Sequence, residues 1–80
     1  MTVKEAVVER FQQIMKERKM KPNELANLSG VTPSTVYSML DTKRKEVSIN
    51  VIKKLCDGLD LTLGDFFQAD IFNRLEQEIK

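Results

Sequence analysis

Histidine and tryptophan are absent from the 80 residues, cysteine occurs once, at Cys56, and glycine and proline number only three and two. Without histidine, the usual nitrogen ligand for zinc and the usual proton shuttle near neutral pH are missing, and a single cysteine cannot close an internal disulfide. Carboxylates stand singly along the chain, no glycine-rich nucleotide loop occurs, and no nucleophile lies beside a base. The chain is therefore not expected to be an enzyme or to hold a metal, a cofactor or a small-molecule ligand. No apolar run approaches membrane length and no signal-peptide pattern is present, so a soluble, cytoplasmic protein is expected. Cys56 reads as a small buried hydrophobe.

The length fits one small core, and a net charge of +1 hides an uneven distribution. From Arg10 to Lys54 there are ten basic residues against four acidic ones, a local charge of +6. From Leu55 onward, two basic residues face six acidic ones, a local charge of −4. Folded compactly, such a chain is electrically two-ended, and a polyanion would meet the first end.

No repeat, low-complexity segment, linker or long alternating run interrupts a series of helical patterns, so the fold is expected to be all-α. Residues 3 to 19 place Val3, Val7, Phe11, Ile14 and Met15 at spacings of three and four, the mark of an amphipathic helix. Pro22 suits the first turn of a second helix, which offers Leu25, Ala26 and Leu28 to the core and ends before Gly30, a residue able to take positive φ. Thr32 is placed as an N-cap, and Pro33 fixes φ for the first turn of a third helix running to Leu40 or Asp41. On it Val36, Met39 and Leu40 point inward and Ser34, Tyr37 and Ser38 outward. After the polar loop "DTKRKEV", with adjacent Lys43, Arg44 and Lys45, Ser48 caps a fourth helix. Its stripe is Ile49, Ile52, Leu55, Cys56 and Leu59, and Gly58 with "LDLT" ends it. Thr62 and Asp65 have capping-box spacing for a short fifth helix holding Leu63, Phe66 and Phe67. In the last segment Ile71, Phe72, Leu75 and Ile79 share one side of an amphipathic helix that packs on its own domain or on a partner.

A helix, a short glycine-containing turn, a helix with small outward polar residues and a basic loop together form the pattern of a helix-turn-helix. Access to base edges in the major groove asks for short or hydrogen-bonding side chains near the start of the reading helix. Thr32, Ser34 and Ser38 can donate or accept, Pro33 and Thr35 offer apolar contact suited to a thymine methyl, and Tyr37 can reach a phosphate. Singly, each has a plainer role as a cap, a solvated hydroxyl or a partly packed ring. Together with the turn and the basic loop they favour a binding surface.

The chain from about Arg10 to Phe67 resembles the Cro and phage-repressor type of helix-turn-helix regulators, also called xenobiotic-response-element (XRE) regulators. The residues carrying the resemblance are "ELA" at Glu24 to Ala26, "GVTPSTV" at Gly30 to Val36, Lys43 and Arg44 before Ser48, and the closing "GLDLTLGDFF". The resemblance implies a compact five-helix lambda-repressor-like domain that binds double-stranded operator DNA as a transcriptional regulator such as a repressor, commonly as a dimer on a palindromic site. By position, it implies that Thr32, Pro33, Ser34, Tyr37 and Ser38 meet base edges and that Asn23, Thr35, Lys43, Arg44 and Ser48 meet phosphates. Residues 1–68 would form the DNA-binding domain and 69–80 a C-terminal amphipathic helix, its Ile71, Phe72, Leu75 and Ile79 a candidate homodimer interface. The alternative is a protein-interaction module or antitoxin-like accessory protein that keeps the helical scaffold without strong DNA readout.

Overall fold

Two phenylalanine rings from opposite ends of the chain, Phe11 and Phe66, meet at the centre of the molecule with centroids 4.4 Å apart. The computed structural model describes residues 1–79. Its helices are α1 (Val3–Glu17), α2 (Pro22–Ser29), α3 (Pro33–Leu40), α4 (Ile49–Gly58), α5 (Leu63–Phe67) and α6 (Asp70–Asn73), with no strand among the described residues. The core joins Val7, Val8, Phe11, Ile14 and Met15 of α1 to Leu25 and Ala26 of α2, Val36 and Met39 of α3, Ile52, Leu55 and Cys56 of α4, then Leu59 and Phe66. The all-α architecture agrees with the reading of the sequence.

Helix starts follow local chemistry. Thr2 and Glu5 form a capping box on α1: the Thr2 hydroxyl accepts from the Glu5 amide at 3.1 Å, and the Thr2 amide donates to the Glu5 carboxylate at 2.8 Å. The hydrogen bond from the Thr2 backbone amide first, and the Thr2 hydroxyl second, hold the Glu5 carboxyl below its ordinary pKa. Pro22 and Pro33 occupy first-turn positions of α2 and α3. Thr62 accepts from the Asp65 amide at 3.0 Å, so the cap of α5 is supplied from the threonine side. Gly30, with φ 67°, closes α2 in the left-handed region, which allows a sharp turn into α3.

Several expected inward positions are not buried. Val3 is exposed at the first position of α1, where the inner face is taken by Lys4, Ala6, Val7 and Val8. Leu28 is exposed because the inner face of α2 runs through Pro22, Leu25, Ala26 and Ser29, spaced three, four and seven apart. Ile49 projects at the outer end of the α4 stripe and is also exposed. The first helix stops at Glu17 rather than Lys19, because Lys19 takes positive φ (54°) and the Met20 amide turns back to the Met15 carbonyl. Gly58 is helical and does not supply the positive φ after α4, which falls at Asp60 (58°).

Gly58 serves close packing instead. A Cβ there would collide with the Ser29 side chain and lie 2.9 Å from the Ser29 Cα and amide nitrogen, so its absence lets the ends of α2 and α4 meet. Cys56 lies fully buried among these helices, and burial pushes its thiol pKa up.

Of the expected helix over residues 69–80, only Asp70–Asn73 is helical among the described residues, and Lys80 lies outside them. Phe72 has a surface to cover, its ring lying 4.9 Å from Phe67 and 5.9 Å from Phe66. Ile79, 85% exposed, has none, and a few turns without tertiary packing do not hold a helix in water.

Candidate nucleic-acid interface

The turn between α2 and α3 is made by Gly30, Val31 and Thr32, with the Val31 amide donating to Ala26 O at 3.1 Å and Gly30 exposed beside it. Thr32 stands at the N-cap of α3 in extended conformation, and its carbonyl accepts from the Thr35 amide at 3.0 Å. Its hydroxyl does not cap the helix. It pairs with Ser34 Oγ at 2.9 Å and Thr35 Oγ1 at 3.0 Å, so three hydroxyls cluster at the first turn. This corrects the simple N-cap expectation: the side chains satisfy one another and leave the amide end of α3 without a side-chain acceptor.

Ser48 behaves differently. Its hydroxyl accepts from the amides of Asn50 at 3.1 Å and Val51 at 3.4 Å, a conventional cap on α4. Between these two helix starts lies an open cleft of about 270 Å³, to which Ser34, Thr35 and Ser38 of α3 and Arg44, Glu46 and Ser48 of the following loop contribute. Five of the residues assigned from the sequence therefore share one depression: Ser34 and Ser38 as base-edge candidates, Thr35, Arg44 and Ser48 as phosphate candidates. Tyr37, Thr32 and Pro33 are exposed on the same helix outside that cleft, Lys43 is exposed in the loop, and Asn23 is exposed in the first turn of α2. Met39 and Val51 form the apolar side of the depression.

The structure sorts the positive charges. Arg10 donates to the carbonyls of Phe66 at 2.8 Å and Asp65 at 3.1 Å, with its guanidinium 5.8 Å from the centre of the Phe66 ring. Arg18 donates to the Leu59 carbonyl at 2.6 Å, and Lys53 pairs with Asp57 one turn away. These cations hold helix ends or neighbouring carboxylates. By contrast, the side chains of Lys43, Arg44 and Lys45 make no hydrogen bond or ion pair among the described residues, although the backbone of Lys43 and Arg44 is engaged.

Two participants escaped sequence reasoning. Glu46 adds an acidic residue to the lining of the cleft shared by Ser34 and Ser38, a place that an aperiodic loop does not reveal. Lys4, only 3% exposed, reaches from α1 to the loop between α3 and α4, donating to Asp41 O at 3.0 Å and Arg44 O at 2.9 Å. A signal for Lys4 existed: it lies four residues before Val8 and shares the phase of Phe11 and Met15, so a lysine stands on the apolar stripe.

A brace helix, a turn closed by a left-handed glycine and a second helix presenting hydroxyls beside a cationic loop define a helix-turn-helix domain. Residues 10–70 match the family model of the Cro/C1-type HTH DNA-binding domain, and the chain belongs to that family. No curated protein and no solved structure gives a significant match. The family is a DNA-binding, regulatory kind of domain. No described helix is long and apolar enough to cross a membrane.

Proposed function

We propose that this protein is a sequence-specific, double-stranded DNA-binding transcriptional regulator that sets α3 into the major groove. The observation carrying this reading is the cleft that joins the α3 hydroxyls to Arg44 and the start of α4. Thr32, Pro33, Ser34, Tyr37 and Ser38 face base edges, while Asn23, Thr35, Lys43, Arg44 and Ser48 hold the phosphates on either side. Pro33 has no N–H and the Thr35 amide already donates to the Thr32 carbonyl, so the clustered hydroxyls leave the Ser34 amide open to a phosphate oxygen, which the positive dipole end of α3 favours.

The α3 sequence "PSTVYSML" contains no arginine, asparagine or glutamine, so the bidentate base contacts that each give ~1 to 3 kcal/mol of discrimination are not available from this helix. Discrimination would rest on hydroxyl contacts, thymine methyls against Thr35 and Pro33, and the shape of the duplex. Titration of the protein with duplexes from its own promoter region, at low and moderate salt, tests the reading. Affinity should fall linearly on a log–log plot against salt; absence of binding to every duplex at low salt would overturn it.

A homodimer on a palindromic operator is a further part of the proposal. It is supported by the exposed Ile79 and by Ile71 and Leu75, which line a groove of about 960 Å³ against α1. Phe72 is already engaged by Phe66 and Phe67, so an interface would be built from the other three. Residues 69–80 would then act as a packing and dimerisation segment. Sedimentation at high micromolar concentration should show the dimer; a monomer would assign the segment to its own domain.

The rival reading, an interaction module without DNA readout, draws on the same exposed tail and on the missing long reading side chains. Changing Lys43 and Arg44 to Glu separates the two, because only a DNA binder should lose its activity.

A further inference from the structure

Lys4 is an anomaly by every local rule. It lies in the first turn of α1, where the helix dipole disfavours a cation, and its side chain is buried on the face that otherwise carries Val8, Phe11 and Met15. A buried ammonium is costly unless its donors are engaged. Here two of its three donors are used on carbonyls about forty residues away: Asp41 O at 3.0 Å and Arg44 O at 2.9 Å.

Those acceptors have particular positions. Asp41 is the C-cap of α3, and the last turn of α3 contains no basic residue of its own. The Lys4 ammonium therefore supplies, from another helix, the positive charge that the C-terminal end of α3 favours. Arg44 is the middle residue of the cationic run, and its carbonyl is held by the same nitrogen. The loop adds its own closure, with the Arg44 amide donating to Asp41 O at 3.1 Å and the Lys43 amide to the Asp41 carboxylate at 3.0 Å. One buried lysine thus fixes the end of α3 and the base of the loop against α1, whose first turn is locked by the Thr2 and Glu5 capping box.

We infer that Lys4 is a positioning residue for DNA binding: it never meets the nucleic acid, but it sets where Lys43 and Arg44 stand relative to α3. This inference rests on the DNA-binding reading above. Exposed lysines and arginines lose rotamer freedom whenever they dock, and a loop held at its base has less left to order when phosphates arrive.

The test is a double-mutant cycle on the full chain, with Lys4→Met and Lys43→Gln/Arg44→Gln made separately and together. A fluorescent duplex is the probe, and binding is measured at a temperature where circular dichroism shows every variant folded. Lys4→Met should weaken binding about tenfold at moderate salt and make the log K against log salt slope shallower by about 1, as for one lost phosphate contact. In the Lys43→Gln/Arg44→Gln background the same substitution should leave affinity and slope unchanged, although it lowers the melting temperature in both backgrounds. An equal loss of affinity in both backgrounds, or none in either, overturns the inference. If Lys4→Met does not fold, Lys4→Gln, which keeps an N–H donor on a shorter stem, replaces it in the same cycle with the same two outcomes. A wild-type protein that binds no duplex at low salt defeats the DNA-binding reading itself, an outcome separate from unchanged binding by Lys4→Met.

Discussion

Three cations on or next to α1 and the three of the loop after α3 have similar chemistry and opposite employment. Lys4, Arg10 and Arg18 each donate to backbone carbonyls near the ends of helices, at Asp41 and Arg44, at Asp65 and Phe66, and at Leu59. Lys43, Arg44 and Lys45 extend from an exposed loop with no protein partner engaging their side chains among the described residues. Charge counted along the chain treats the two groups alike. The fold makes the first group internal fasteners and leaves the second exposed; since Arg10 and Arg18 belong to the +6 segment, that count overstates the charge open to a polyanion.

Reversing the charge of the loop should break that division most strongly. Lys43→Glu with Arg44→Glu is expected to weaken duplex binding by about a hundredfold or more at moderate salt and to flatten the salt dependence by about 2, with the melting temperature nearly unchanged. Anisotropy titrations at several salt concentrations would check both quantities.

Arg10→Met sharpens the other side. It leaves the Phe66 and Asp65 carbonyls without their charged donor and should cost about 1 to 3 kcal/mol by urea unfolding, while the salt slope of DNA binding stays at the wild-type value. Gly58→Ala removes no charge at all, yet forcing a Cβ against Ser29 should destabilise the fold by about 1 to 3 kcal/mol. Its affinity per folded molecule should match wild type, which would show that stability and DNA contact are separable.

The two hydroxyl residues at helix starts repeat the contrast on a smaller scale. Ser48→Ala should cost about 1 kcal/mol, because two amides lose their acceptor. Thr32→Ala should cost less in stability, since its hydroxyl caps no amide, and should instead weaken DNA binding. Smallest of all is an acid effect at α1. Because Glu5 has a lowered pKa in the folded state, its capping contribution is present at neutral pH and is lost as pH falls through that lowered value. The protection of the Thr2 amide, measured against its intrinsic exchange rate, should then fall in acid, and Glu5→Gln should make that protection less dependent on pH.

Much of the fold was legible because periodicity and punctuation agreed. Pro22, Gly30, Pro33 and Ser48 mark helix boundaries where the structure has them, and Ile52, Leu55, Cys56 and Leu59 form the expected stripe. Errors fell at ends and in meanings. Val3 and Ile49 keep the period but sit where the core has run out, and Gly58 has the look of a helix stop whereas its role is close approach to Ser29. For the candidate site, residue types and spacing brought out Ser34, Thr35, Ser38, Arg44 and Ser48, which the fold gathers around one cleft. Lys4 and Glu46 were not found, since the contacts that define them span distant segments or lie in an aperiodic loop.

The most direct test of the division between the two groups of cations is an amide chemical-shift titration of isotope-labelled protein with duplex DNA. Perturbations are expected to centre on Ser34, Thr35, Ser38, Arg44 and Ser48, with the amides around Arg10, Arg18 and Leu59 left in place. Shifts concentrated instead along the groove between α1 and α6, with α3 and the loop after it unmoved, would contradict it.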